Sequence, residues 1–130
     1  MELEKANALM MIWKNAEQLE YAVKLVRAGY ELAQKGIYEF ATDDIPEDQQ
    51  TYGAHLPGLA SRQLASAGLI VRLKVHSEDH GSQAVMRKGK RASRNGAMIP
   101  VYYLRSMGLT EAFLDKHKAT YQKGQMELAV

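Results

Sequence analysis

Apolar residues fall on a helical period through the first quarter of the chain. Leu3, Ala6, Leu9, Met10 and Trp13 recur at steps of three and four. Leu19, Ala22, Leu25 or Val26, Gly29, and Leu32 or Ala33 continue the repeat. With no proline and one interior glycine, residues 2–35 read as helix almost throughout. Asn15 divides them, because its side chain can accept from the next turn and Gln18 follows three residues later, as in a capping box. One long helix is the open alternative, since the period runs across Asn15. Gly36 ends the run.

The pattern then shortens. Ile37, Tyr38, Phe40 and Thr42 predict a small strand over 37–42. Asp43 or Asp44 caps a brief helix from about Pro46, with Glu47 and Asp48 at its positive end. From residue 58 the chain reads GLASRQLASAGLIVRLKV. Leu59, Ala60, Leu64 and Ala67 form a stripe, with Ser61, Arg62 and Ala65 facing away, which predicts a helix over 57–67. Gly68 suits a left-handed cap, and the β-branched alternation of 69–75 makes a strand directly after it. A polar stretch follows, then a second strand over 98–104, where Pro100 calls for an edge position. The stretch between is long, so either its tip is unstructured or residues 83–86 add a strand. Thr110 caps a last helix, with Ala112, Phe113, Leu114 and Tyr121 for packing.

Charge changes the picture more than composition does. The 130 residues, 46 % of them hydrophobic, support one core. The absence of cysteine excludes disulfides and thiolate chemistry. No signal peptide and no membrane-spanning run is evident, so a cytoplasmic protein is expected. The net charge is only +2, but residues 72–105 hold eight Lys/Arg against two Asp/Glu, whereas residues 1–71 hold six against ten. Positive charge concentrated in one quarter of a chain is an electrostatic footprint of nucleic-acid binding.

The order of elements from 16 to 104, carried by FATDDIP (40–46), GLASRQLASAGLI (58–70) and GKRASRNGAMIPVYYL (89–104), resembles the winged helix-turn-helix superfamily, in particular small bacterial and phage winged-helix proteins. The resemblance implies an α+β fold: a three-helix core with a β-wing over 16–105, an added N-terminal helix (1–15), and a C-terminal helix and tail (106–130). It implies double-stranded DNA binding by the 57–67 helix and the basic 82–97 wing, in transcription control or a phage or mobile-element process. The candidate DNA contacts are Ser61, Arg62, Gln63 and Ser66 on the helix, Arg72 and Lys74 on the strand, and Arg87, Lys88, Lys90, Arg91 and Arg94 on the wing. Leu9, Met10 and Trp13 exceed what a small core needs and are candidates for a homodimer contact.

Each reading has a plainer competitor. The basic cluster could be a solvated loop, and Arg62 an exposed arginine covering apolar neighbours. His76, Glu78, Asp79 and His80 have zinc-like spacing, but on a loop nothing fixes the rings on one side, so a polar loop is expected and no metal or other cofactor. Tyr102 and Tyr103 must point to opposite faces, one inward and one outward. No catalytic motif is present, and the protein reads as a non-enzyme. A protein-interaction module on the same scaffold, its basic loop on an acidic partner, and an RNA-binding protein are the alternatives.

Overall fold

The computed structural model describes Trp13 and residues 16–45, 56–79, 81–89 and 98–118. They form a mixed α+β fold of three helices and small antiparallel sheets. Helix α1 (Ala16–Gln34) is the central element. Strand β1 (Glu39–Phe40) and a 3-10 turn (Thr42–Asp44) follow, then helix α2 (Leu56–Ser66). Six short strands come next: β2 (Ile70–Arg72), β3 (Lys74–Ser77), β4 (Gly81–Ala84), β5 (Met86–Lys88), β6 (Met98–Pro100) and β7 (Tyr102–Leu104). Helix α3 (Met107–Lys116) ends the described chain but for a final turn.

The expected stripe on α1 is present but too narrow. Every residue from Tyr21 to Val26 is buried, including Lys24, which pairs with Glu20 at 3.2 Å. A helix enclosed by other elements loses its polar side, and α1 packs against α2, α3, β1 and β7. That resolves the choice between Leu25 and Val26: both are inside. Trp13, expected at a dimer contact with Leu9 and Met10, packs partly buried against this same core. Leu9 and Met10 lie outside the described residues, as does the short helix expected from Pro46.

Gly68 behaves as its sequence context requires. Its φ is +80°, the left-handed region, and the amides of Gly68 and Leu69 close α2 on the carbonyls of Ala65 and Leu64. Strand β2 begins two residues later, with Leu69 and Ile70 both buried. It pairs antiparallel with β7, which pairs in turn with β1, so the sheet order is β1–β7–β2. The register places Phe40 opposite Tyr102 and Glu39 opposite Tyr103. Tyr102 is thus buried on the core side and Tyr103 is exposed on the other, as alternation demands.

The two long strands expected over 69–75 and 98–104 are extended, but each changes partner midway. Three backbone bonds close a ring: Leu73 N–H to Val101 O (2.9 Å), Val85 N–H to Leu73 O (2.8 Å), and Val101 N–H to Val85 O (3.3 Å). Around that ring three strand pairs radiate, β2–β7 toward the core, β3–β4 outward, and β5–β6. The polar stretch is therefore not one loop; residues 81–88 contribute two strands, more than the single one considered at 83–86. These bonds keep the amides of Leu73, Val85 and Val101 paired where each segment changes partner. Helix α3 starts earlier than expected. Ser106, not Thr110, is its N-cap, accepting from Leu109 N at 3.2 Å, while Thr110 is buried and donates to the Ser106 carbonyl at 2.8 Å.

Candidate nucleic-acid interface

Helix α2 exposes an arc made of Gly58, Leu59, Arg62, Ala65 and Ser66, with Gln63 half-buried at its margin. Ala60, Ser61 and Leu64 face the core. The helix is thus rotated from the expected phase: Leu59 is 45 % exposed and Ser61 only 3 %. Ser61 cannot reach a partner outside the protein and is withdrawn as a contact. Its hydroxyl is buried without a hydrogen-bond partner among the described residues. Removing such a group is close to neutral or favourable, so Ser61→Ala should raise stability by about 1 kcal/mol and leave duplex affinity unchanged. A urea titration checks it, and a loss of stability would show that the hydroxyl is satisfied.

The cations beyond α2 divide into two kinds. Arg72, Lys74 and Lys88 are exposed. Arg87 is not available. Its Nη2 donates to Asp44 Oδ2 at 2.8 Å, and that carboxylate, 8 % exposed, also accepts from Ala41 N at 2.8 Å. The wing contact expected at Arg87 is therefore a structural ion pair that fastens β5 to the 3-10 turn. Within the 3-10 turn Asp44 accepts from the N-cap amide of Ala41 and holds Arg87; the helix that Asp43 or Asp44 was expected to cap lies outside the described residues. Lys90, Arg91 and Arg94 lie outside the described residues.

The two outlying ribbons differ in chemistry. The β3–β4 ribbon carries Lys74, Val75 and His76 with little burial, and its turn holds Glu78 and Asp79. Its turn is acidic, which keeps it apart from the basic wing expected over 82–97. Three potential metal ligands do not come together among the described residues, and His80 is not one of them. The β5–β6 ribbon has Arg87 and Ile99 on its inner face and Met86, Lys88, Met98 and Pro100 on its outer face. Arg72 joins that outer face through its Nη2, which lies 3.4 Å from Met86 Sδ. No period in 81–100 tells which residues become neighbours, so this apolar and cationic combination is not legible in the order of residues.

Elsewhere, α1 and α3 form a shallow cleft lined by Arg27, Tyr30, Glu111, Leu114, Asp115 and Lys118. Tyr30 donates to Glu111 Oε1 at 3.2 Å, and its phenol is raised above the usual 10.0 by desolvation first and then by Glu111. His117 stacks on Phe113 with ring centroids 4.7 Å apart. Burial, then the charge of Lys116, holds it below the usual 6.5. The open geometry and ordinary helix-packing contacts give this cleft no evident chemistry. No helix among the described residues is long and apolar enough to cross a membrane. No protein-family model, curated protein or solved structure matches the chain.

Proposed function

We propose that this chain is a winged-helix protein that binds double-stranded DNA, with α2 along the major groove and the strands beyond it on the adjacent backbone. One observation carries the reading. A short helix turns on Gly68 directly into a strand, and that strand pairs antiparallel with the strand closing the basic region. This is the join of helix and wing that the sequence resembles. Arg62 then lies at the centre of the exposed arc of α2 with Ser66 beside it, and Arg72, Lys74 and Lys88 follow on the strands. A single guanidinium on α2 is a thin set for base recognition, so backbone and shape readout carry most of the affinity. A role in transcription control or a mobile-element process, as a homodimer, is the setting proposed for it.

Each phosphate neutralised releases about 0.9 counterion, so the triple substitution Arg72→Ala, Lys74→Ala, Lys88→Ala should flatten the slope of log affinity against log salt by up to about three units. Binding of one duplex across a salt series measures this. Equal slopes in the two proteins would remove these strands from the contact. A second reading has its own observation: Gly58, Leu59 and Ala65 make most of the exposed arc of α2 uncharged, which suits a protein partner. That reading predicts weak duplex affinity from the outset, and no loss on Arg62→Ala.

A further inference from the structure

We infer that the outer face of the β5–β6 ribbon is a wedge that enters the minor groove of duplex DNA and bends it, Met98 and Met86 pressing between base steps while Lys88 and Arg72 hold phosphates. The inference rests on the duplex-binding reading above and adds to it a mode of binding.

The register supplies the arrangement. Lys88 lies directly opposite Met98 and Met86 opposite Pro100, so one cation and three apolar side chains share a face, about 5 Å apart across each pair. Met98 is 57 % exposed and Met86 36 %, and the Arg72 guanidinium sits against the Met86 sulfur. The opposite face is turned to the body, with Ile99 buried and Arg87 paired to Asp44, whereas Met86 meets only the Arg72 guanidinium among the contacts seen and Met98 is left to solvent.

That opposite face also makes the ribbon stiff. Ile99 is 4 % exposed, Arg87 is tied to Asp44, and the backbone ring at Val101 clamps the base of the ribbon. A wedge must be held rigidly if it is to deform its target.

The chemistry of the face selects duplex DNA as the occupant. None of Arg72, Met86, Lys88, Met98 and Pro100 is acidic, so the face is complementary to a polyanion. Minor-groove proteins that kink DNA combine such cations with Met, Pro or other apolar wedges, and kinks of about 20–90° result. Methionine suits the role because its flexible, polarisable side chain adapts to base edges and faces. Deformation also offers selectivity at positions no side chain reads, which α2, with Arg62 as its one exposed charge, does not supply.

The test uses a 24-base-pair random-sequence duplex labelled at both ends, titrated with the full chain at low salt and read by energy transfer and anisotropy together. Wild type should bind and shorten the end-to-end distance. The Met86→Ser, Met98→Ser double variant should bind within about threefold of wild type but leave the duplex straight, because phosphate contacts carry most of the affinity. Met98→Leu, which keeps an apolar wedge, should bend it as wild type does, and this separates the wedge from loss of fold. Binding by wild type without any change in transfer would overturn the wedge and leave the duplex-binding reading standing. Equal bending by the double variant would do the same. Failure of wild type to bind the duplex at all would overturn both. If the methionine substitutions instead abolish self-association while bending is unchanged, the face is an interface between copies and the inference falls.

Discussion

Phe40→Ala should lower stability by about 3–5 kcal/mol, the largest loss expected from a single side chain near the sheet. Phe40 is 1 % exposed, stands opposite Tyr102 in the β1–β7 pair with ring centroids 6.2 Å apart, and lies across α1 at Gly29. A Cβ on Gly29 would fall 2.8 Å from Phe40 Cε1 and 2.9 Å from Cδ1, closer than packed carbons tolerate. Glycine at this point of the helix interior lets the ring approach closely. Gly29→Ala gains about 1 kcal/mol in helix propensity yet should still be destabilising, since overpacking a closed site costs about 1–3 kcal/mol. In the Phe40→Ala background the new methyl enters vacated space, so the same change should become stabilising by about 0.5–1 kcal/mol. Denaturant titrations of the four proteins measure the cycle. Additive effects would mean that ring and glycine do not meet.

Arg87→Met should lower stability by about 3 kcal/mol, the low end for one partner of a buried pair, because the Arg87 side chain keeps 28 % exposure. The loss arises from Asp44, whose carboxylate at 8 % exposure would lose the guanidinium that pairs with it at 2.8 Å. Asp44→Asn in the Arg87→Met background should recover a large part of it, since a neutral amide avoids the buried charge. Lys88→Ala, one residue along and exposed, should change stability by less than about 0.5 kcal/mol. Thermal or chemical unfolding of these variants decides the matter. Similar small effects at Arg87 and Lys88 would return Arg87 to the surface cations.

Local signals in the chain were sufficient for much of the fold. The α2–Gly68–β2 join was legible because a cap at positive φ and a β-branched run are properties of neighbouring residues. The opposite placement of Tyr102 and Tyr103 follows from the pleat alone. Charge asymmetry and the exposed Arg62, Ser66, Arg72, Lys74 and Lys88 were likewise present in the order of residues. Tertiary structure decided the rest. Periodicity sets a stripe but not its rotation, so only the packing of α2 on α1 could turn Ser61 inward and Leu59 outward. Alternation predicts an extended segment but not its partner, so the change of pairing at Leu73, Val85 and Val101 was invisible until three distant segments met. Arg87 and Asp44 are 43 residues apart, and no local rule separates an arginine that will find a carboxylate from one that will face solvent. What propensity and pattern encode is the conformation of each segment; which side chains become neighbours depends on burial energies shared across the whole core.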